Sequence, residues 1–338
     1  MSDDLDVLSR AHAWDAEGLG VALATVVSTW GSAPRQAGSL LAANARGDFA
    51  GSVSGGCVEG EVIREARRTI EDGAPRFLRF GVSDERAFEV GLACGGTIEV
   101  HVARVGRGAI LGPLLARMAA REPVVLATDL DRGDMALADP RAADATAGAD
   151  LAAGARAAAE RDAPGRVESA GRAWLLRPFN PSVRVIVCGA VHVAQALVPM
   201  IRLAGYEAIV VDPRRAFATE ARFGTAPIVS AWPGEALPRL GLDRRTAVVA
   251  LTHDPKLDDP ALAAALRSEA FYVGALGSRS SQAARRERLR ATGLGDAELA
   301  RIHGPVGLPI GARSSAEIAV SILAEIVAAL RGARTPAP

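Results

Sequence analysis

Apolar residues recur with two different periods along the first half of the chain. Helical spacing predicts an amphipathic helix over residues 3–17, a second helix that begins just after residue 57, and a third over residues 111–121. Runs of β-branched or alternating apolar residues predict strands at 21–27, 39–43, 49–53, 77–80, 98–104, 124–128 and 173–176. This mixture predicts a mixed α/β domain over residues 1–177.

Two segments depart from this patterning. Residues 132–164 are rich in Ala, Asp, Arg and Gly and contain no aromatic residue, which predicts a surface insertion, although alanine would also tolerate a helix. Residues 178–182 contain Pro178 and Pro181, and proline resists both a helix and a central strand. The sequence therefore predicts a linker at 178–182.

Strands and helices alternate from residue 183 onward. A strand at 183–187, a helix at 192–204 and a strand at 207–211 form a βαβ unit, and further strands are predicted at 246–251 and 271–275. Ser314 and Glu317 have the spacing of a capping box at the start of a final helix. This order predicts a Rossmann-like doubly wound parallel sheet over residues 183–331, followed by a tail at 332–338.

The βαβ unit resembles a dinucleotide-binding fingerprint that has lost one glycine. Gly189 and His192 lie in the turn after the first strand, and Asp212 follows the second strand, where an acidic residue can hold a ribose hydroxyl. Val191 replaces the middle glycine, and a β-branched side chain there is expected to crowd a pyrophosphate. This replacement argues against conventional binding of NAD.

Polar loops follow two later strands of the same domain, where ligands bind in open parallel sheets. His253 lies in the first loop, and both a site role and a structural role fit a histidine there. Ser278 and Arg279 lie in the second loop, just before a helix, and fit both an anion site and an ordinary N-cap with a charged neighbour.

A glycine-rich stretch in the first domain delivers a cysteine to the start of a helix. It contains Gly55, Gly56, Cys57 and Glu59. The unpaired N–H groups and the positive dipole end of a helix N-terminus favour a thiolate, which can hold a soft metal or attack an electrophile. The alternative is a buried cysteine in a glycine-rich turn.

A second cysteine and a polar loop belong to the same domain. Cys94 and Gly95 open another stretch of cysteine, glycine and glutamate, so the two stretches are predicted to form the walls of one site. Ser32 and Arg35 lie in a loop after a predicted strand and offer hydrogen-bond donors on a backbone shaped by glycine and proline. This loop fits either a ligand contact or a simple strand connection.

Composition narrows the class of protein. The 338 residues are 49% hydrophobic and 23% charged, enough for about two domains with large cores. The 39 basic and 39 acidic residues balance, which argues against nucleic acid and membrane surfaces as partners. Three cysteines without a C-x-x-C pair fit a reducing compartment. With an acidic start and no long apolar run, we expect a cytoplasmic protein.

The ordered motifs resemble those of the XdhC/CoxI family of molybdenum-cofactor maturation factors. They lie at residues 29–35, 51–59, 94–99, 189–193, 252–253, 272–279, 305–311 and 317–322. The resemblance covers nearly the whole chain except the alanine-rich segment.

The resemblance implies an accessory factor rather than an enzyme. Such a protein binds the molybdenum cofactor in its molybdopterin form through the N-terminal domain, protects it during sulfuration and hands it to a molybdenum hydroxylase apo-enzyme of the xanthine dehydrogenase or carbon monoxide dehydrogenase type. Its implied partners are that apo-enzyme, a cysteine desulfurase and a second copy of the chain. The cofactor-associated cysteine of the family corresponds to Cys57, the expected molybdenum ligand, and Cys94 belongs to a second family motif.

Two other functions remain open. The βαβ unit, Asp212 and His253 fit an NAD(P)-dependent oxidoreductase, against which Val191 argues. Cys57 and Cys94 as a pair fit a cysteine-based sulfur carrier or redox enzyme.

Overall fold

The computed structural model describes residues 3–31, 35–81, 96–106, 110–141 and 148–333. The chain divides into two compact units, Met1–Pro181 and Ser182–Pro338. Within the described ranges, no helix is long and apolar enough to cross a lipid bilayer.

The first unit contains nine strands and four helices among its described residues. In chain order these are α1 (Asp3–Ala16), β1 (Val21–Trp30), β2 (Leu40–Asn44), β3 (Phe49–Gly51), α2 (Glu59–Asp72), β4 (Arg76–Phe80), β5 (Thr97–Arg104), α3 (Leu111–Ala119), β6 (Val124–Asp129), β7 (Met135–Ala138), α4 (Ala149–Arg161), β8 (Gly165–Ser169) and β9 (Arg172–Phe179). The helices predicted at the start of the chain and after residue 57 are confirmed as α1 and α2.

Two antiparallel sheets organise the first unit. The five-stranded sheet has the order β3-β2-β1-β5-β4, and the four-stranded sheet has the order β7-β6-β9-β8. Helix α2 packs on one face of the five-stranded sheet, where Val62 and Ala66 meet the alternating residues Ile98 and Val100. Helices α1 and α3 and strand β6 share a second core with the other face. Residues that alternate along these strands therefore face two different cores, one on each side of the sheet.

The strand register brings several loops to one edge of the five-stranded sheet. Trp30 at the end of β1 pairs with Thr97 at the start of β5, and Gly51 at the end of β3 pairs with Leu41 near the start of β2. Because all neighbouring strands are antiparallel, the residues after β1 and β3 and those before β2 and β5 meet at this edge. The Cys57 loop, residues 52–58, begins here.

The alanine-rich segment differs from the predicted surface insertion. Residues 135–138 form β7, and α4 packs on the four-stranded sheet through Leu151, Ala155 and Ala158. These residues are four and three positions apart, which is the spacing of one helix face. The small alanine side chains suit packing on the sheet, so α4 is part of the core.

The predicted linker also begins inside a strand. Strand β9 runs through Phe179, and Pro178 pairs with Val125 of β6. The neighbouring strand β8 reaches only as far as Leu176, so Pro178 has a partner strand on one side. A proline is compatible with such an edge position because no ladder partner needs its missing N–H.

The second unit alternates strands and helices. In chain order these are β10 (Arg184–Cys188), α5 (His192–Leu203), β11 (Glu207–Val211), α6 (Glu220–Phe223), β12 (Ile228–Val229), α7 (Pro233–Leu240), β13 (Thr246–Ala250), α8 (Pro255–Leu266), β14 (Tyr272–Ala275), α9 (Arg279–Ala291), α10 (Asp296–Leu299), β15 (Ile302–His303) and α11 (Ser315–Leu330). The capping box of the last helix is confirmed, since Ser314 and Glu317 each accept a hydrogen bond from the other's backbone N–H.

The six strands in the described part of this unit form one parallel sheet in the order β12-β11-β10-β13-β14-β15. Counted within the unit this is 3-2-1-4-5-6, the order of the Rossmann fold. The cores lie on both faces of the sheet, one including α5 and α11 and the other including α7 and α8. The predicted fold class, a mixed α/β domain followed by a Rossmann-like domain, is confirmed. In the parallel sheet the strand order reverses between β10 and β13, and open sheets of this kind bind ligands at that point.

Candidate functional site

The Cys57 loop is anchored at both ends and exposed at its tip. Val53 and Val58 are fully buried, whereas Gly55, Gly56 and Cys57 between them are exposed. The two glycines have φ angles of +79° and +117°, which L-residues rarely adopt. An added Cβ on Gly56 would meet nothing within 4 Å, so glycine is needed there for backbone conformation rather than for space. The loop thus holds the Cys57 thiol in the open.

The carboxylate of Glu59 is the centre of this loop. Its Oε1 accepts hydrogen bonds from Ser52 Oγ (2.6 Å), Val53 N (3.1 Å), Ser54 N (2.8 Å) and Gly55 N (3.1 Å), and its Oε2 from Ser54 Oγ (2.5 Å), Gly56 N (2.9 Å) and Val58 N (3.2 Å). The loop covers the Glu59 side chain, and the residue is therefore only 8% exposed. One carboxylate therefore fixes the path of the backbone on both sides of the glycines.

The donors around Glu59 also determine its charge state. Burial by itself would raise the pKa of this carboxyl, but hydrogen bonds from Ser52, from Ser54 and from the backbone outweigh it and lower the pKa to about 2. Glu59 is therefore ionised at neutral pH. Although Glu59 belongs to the stretch expected to bind the cofactor, both of its oxygens are occupied by the loop, which fits a role in positioning the loop.

Ser54 satisfies the backbone next to the thiol. Its Oγ accepts hydrogen bonds from Cys57 N and Val58 N, both at 3.0 Å. Helix α2 begins at Glu59 with Val58 as its N-cap, so Cys57 precedes the helix by two residues. The Glu59 carboxylate lies at the positive end of this helix. Ser52 and Ser54 were missed from the sequence, where they stand out only as residues close to the cysteine.

The second wall of the predicted site is described only in part. Ser32, Cys94 and Gly95 lie outside the described residues, so their place in one site with Cys57 stays a prediction. Glu99, in the same stretch as Cys94, accepts hydrogen bonds from Ser28 Oγ at 2.6 Å and from Arg166 Nη2 at 3.3 Å. Arg35 is half-buried on the loop that joins β1 to β2, at the sheet edge where the Cys57 loop begins.

Trp30 marks the same edge with an aromatic ring. It is the last residue of β1, it pairs with Thr97 of β5, and it is 61% exposed. An indole exposed to this extent offers a flat apolar surface with a polar N–H, which suits a ring-shaped ligand or a protein partner. The described part of this edge therefore presents a thiol, an arginine and an indole.

The carboxyl edge of the parallel sheet brings other predicted residues together. The backbone of Gly189, with a φ of +112°, lies close to the loop after β13. A Cβ added to Gly189 would be 2.4 Å from Thr252 Cγ2 in that loop. A Cβ on Gly277 would lie 3.7 Å from His253 Nδ1. The loops after β10, β13 and β14 are therefore neighbours, and His253 lies beside the Ser278 loop.

Asp212 does not have the free carboxylate expected of a ribose-binding residue. It is fully buried, and Oδ2 accepts hydrogen bonds from Ala190 N at 2.8 Å and from Arg214 Nη2 at 2.7 Å. Oδ1 accepts hydrogen bonds from the backbone N and the Nε of Arg214, both at 2.9 Å. Burial opposes ionisation, but these donors lower the pKa of Asp212 below its ordinary value. The carboxylate holds Arg214 and the first turn in place.

The predicted crowding of a pyrophosphate by Val191 stays a prediction. Val191 is the N-cap of α5, and its side chain is half-buried against the core cluster that includes Val193 and Leu197. His192 is the first residue of the helix and is exposed. The isopropyl group that replaces the middle glycine is therefore partly packed against the core and partly exposed.

His253 adopts a backbone conformation that is rare for a residue with a side chain. Its φ is +62°, and its backbone N donates to Asp258 Oδ2 at 3.0 Å. Asp258 also accepts a hydrogen bond from Thr252 Oγ1 at 2.6 Å and pairs with the buried Arg285 at 3.1 Å. Asp258 and Arg285 were missed from the sequence, because nothing in their spacing links positions 27 residues apart. They hold the strained residue at the point where the strand order reverses.

Ser278 is the N-cap of α9. Its Oγ accepts a hydrogen bond from Ser281 N at 3.2 Å, and Arg279 is the exposed first residue of the helix. The structure shows the ordinary cap, and the anion site predicted at this helix stays a prediction.

Both units of the chain are similar to known proteins. Residues 14–81 match the profile of the XdhC and CoxI family, and residues 185–326 match the XdhC Rossmann domain. An Escherichia coli (strain K12) protein named molybdenum cofactor insertion chaperone PaoD is 28% identical over 91% of this chain and 83% of its own length. A Bacillus subtilis (strain 168) protein named as a probable xanthine dehydrogenase subunit is 27% identical over 90% of this chain and 92% of its own.

A solved structure has the same fold. A Bacillus halodurans protein described as a xanthine dehydrogenase superposes with a TM-score of 0.65 at 23% sequence identity, covering 99% of this chain and 97% of the other. The two profile matches, the full-length relatives and the shared fold agree with the motifs found in the sequence. The chain belongs to the XdhC and CoxI family.

Proposed function

We propose that this chain is an accessory protein, not itself an enzyme, that binds the molybdenum cofactor and inserts it into a molybdenum hydroxylase apo-enzyme. The observation that carries the proposal is the exposed Cys57 thiol on a loop whose backbone is fixed by Glu59. The name of the E. coli relative, a molybdenum cofactor insertion chaperone, supports the same role.

The residues around Cys57 fit such a cargo. Molybdenum in this cofactor has sulfur ligands, and a soft thiolate is a suitable additional ligand that can be exchanged. The space beside Gly56 is open, so a bulky group can approach the thiol without moving the loop. Glu59 keeps the thiol at a constant position, which lowers the entropy lost when the cofactor binds.

The phosphate of the cofactor needs donors from another segment. The N–H groups of Gly55, Gly56, Cys57 and Val58 already donate to Glu59 or to Ser54. Arg35 at the same sheet edge has the charge and the planar donor set that suit a phosphate. We therefore assign the sulfur end of the cofactor to Cys57 and the phosphate end to the Arg35 loop.

The finer steps of the proposal concern partners. The bound cofactor is held while its terminal ligand is exchanged for sulfur, and a cysteine desulfurase supplies that sulfur. The acceptor is the apo-form of a hydroxylase of the xanthine dehydrogenase or carbon monoxide dehydrogenase type. The chain acts as a homodimer, since symmetric pairs are the commonest assemblies of soluble proteins.

An insertion assay tests the proposal. The chain is loaded with cofactor and mixed with a cofactor-free molybdenum hydroxylase, and the recovered hydroxylase activity is measured. We expect activation by the wild type and by Cys188→Ala, because Cys188 is fully buried and its burial raises the pKa of the thiol well above the ordinary value. Cys57→Ser should lose most of the activation. Equal activation by Cys57→Ser and the wild type would show that the thiol does not carry the cofactor.

A further inference from the structure

The loop after β11 concentrates positive charge and an aromatic ring at the carboxyl edge of the parallel sheet. Arg214, Arg215 and Arg222 lie in or near this loop, and Phe217 is an exposed aromatic residue between them. The Arg214 guanidinium lies 4.7 Å from the Phe217 ring centroid, and that of Arg222 lies 5.8 Å from it. None of these residues is used by the function proposed above.

Arg214 is held in a fixed orientation with donors left over. Its Nε and Nη2 form a two-pronged contact with Asp212, at 2.9 Å and 2.7 Å. A guanidinium has five N–H donors, and among the described residues no hydrogen bond involves the Nη1 group. The side chain of Arg214 is 38% exposed. A planar, pre-oriented guanidinium of this kind suits a phosphate group.

The position of this loop defines which part of a ligand it would meet. In a sheet of order 3-2-1-4-5-6, the loop after the second strand lies beside the ribose of a bound dinucleotide. A carboxylate there selects a free 2′-hydroxyl, and an arginine selects a 2′-phosphate. Asp212 is buried and its oxygens are occupied, so the group presented to a ligand is the guanidinium of Arg214.

The neighbouring turn contains the residue that replaces the middle glycine. The side chain of Val191 is half-buried and packs against the core cluster. Arg215 is exposed and adds a positive charge that Asp212 does not neutralise. The exposed part of the Phe217 ring offers an apolar contact for an adenine ring.

We propose that the β11 loop binds the 2′-phosphate of an adenine nucleotide through Arg214 and Arg215, so that the second unit prefers NADP-type to NAD-type ligands. All of these residues belong to the second unit, and the binding proposed here needs no hydride transfer. Asp212 acts as a positioning residue, because it orients Arg214 rather than touching the nucleotide.

Two probes that differ only in the 2′-phosphate test this site. The full-length wild type is titrated by calorimetry with adenosine 2′,5′-bisphosphate and with adenosine 5′-monophosphate. A charge-assisted contact to one phosphate predicts that the bisphosphate binds roughly tenfold tighter or more. Equal affinity for the two probes, or no binding of the bisphosphate, would overturn the proposal. Inorganic phosphate that binds as tightly as the bisphosphate would overturn it too, because it would show an anion site without a nucleotide.

Three substitutions test which residues cause the preference for the bisphosphate over the monophosphate. Arg215→Gln changes an exposed side chain and should reduce the preference for the bisphosphate, and Arg214→Gln should abolish it provided that circular dichroism shows a folded chain. Arg244→Gln is the matched control, because Arg244 is exposed and paired with Glu269 near the start of β13, at the opposite edge of the sheet. The Arg244→Gln variant should prefer the bisphosphate over the monophosphate by the same factor as the wild type. A preference that survives both Arg214→Gln and Arg215→Gln would contradict the assignment.

Discussion

Replacing Glu59 by glutamine tests whether this carboxylate fixes the Cys57 loop. The two oxygens of Glu59 accept seven hydrogen bonds from the loop and carry one negative charge. In Glu59→Gln one oxygen becomes an NH₂ group, which then faces N–H and O–H donors in either orientation of the amide. The charge is lost and several buried donors lose their acceptor, so we expect the first unit to become less stable.

The pKa gives the size of this effect. In the folded protein the pKa of Glu59 is about 2, against an ordinary value of 4.5, and each unit corresponds to about 1.36 kcal/mol. The ionised side chain therefore adds about 3 kcal/mol to the free energy of unfolding at pH 7. Because the folded pKa is the lower one, this stabilisation is present above pH 4.5 and is lost as the pH falls toward 2. It should shrink by about 1 kcal/mol at pH 4 and about 2 kcal/mol at pH 3.

Urea unfolding followed by tryptophan fluorescence measures the effect. Trp14, Trp30 and Trp174 belong to the first unit and Trp232 to the second, so the signal mainly reports the unit that contains Glu59. Wild type and Glu59→Gln are compared at pH 7, 4 and 3. We expect a difference of about 3 kcal/mol at pH 7 that becomes smaller at each lower pH.

Glu61→Gln is the matched control. Glu61 lies in the same helical turn, and its side-chain partner among the described residues is Arg64, in a surface ion pair worth less than about 1 kcal/mol. If Glu59→Gln were no more destabilising than Glu61→Gln, or if its effect stayed constant between pH 7 and pH 3, the carboxylate would not be the element that holds the loop.

Three further substitutions probe the backbone and the buried ion pair. Gly51→Ala should destabilise the first unit by several kcal/mol in the same assay, because φ is +85° and the new Cβ would lie 2.3 Å from the Leu40 carbonyl oxygen. Gly73→Ala, with a φ of +75° and no atom within 4 Å, should cost only about 1 kcal/mol, and equal effects would refute the steric argument. Asp258→Asn should lower the stability of the second unit by about 3 kcal/mol in calorimetry, since Arg285 loses its buried partner; an unchanged transition would contradict this.

The fold followed from the period of the apolar residues. Ile98, Val100 and Val102 alternate along β5, and Val62, Ala66 and Ile70 recur at helical spacing along α2, so one pattern meets the other in a single core. The alternation of strands and helices after residue 183 predicted a Rossmann-like sheet, which the strand order confirms. These features are local, and each repeats often enough to be recognised without tertiary contacts.

The structures of α4 and of the strand at Pro178 were predicted wrongly because both depend on tertiary contacts. Leu151, Ala155 and Ala158 form one helix face, but alanine is common on helix surfaces as well, so only the sheet beneath α4 identifies them as core. Pro178 fits a strand because β8 pairs no further than Leu176, a length that depends on register and not on residue type. Neither fact is present in the local sequence.

The position of Cys57 could be predicted, but not the roles of its neighbours. Two preceding glycines and the helical spacing that follows placed the cysteine at or beside the first turn of a helix, and it lies two residues before α2. The role of a carboxylate depends on which donors reach it. Glu59 is occupied by its own loop, and Asp212 is occupied by Arg214, so both act on other residues rather than on a ligand. Spacing in the sequence does not distinguish these cases.

The molybdenum and pterin content of the purified chain tests the central claim most directly. Wild type and Cys57→Ser are purified without oxygen from cells that make the cofactor, with Cys188→Ala as the control for loss of a cysteine. Our account predicts that the wild type and Cys188→Ala carry molybdenum and pterin in near-equal amounts and that folded Cys57→Ser carries little of either. The same molybdenum and pterin content in Cys57→Ser as in the wild type would contradict it.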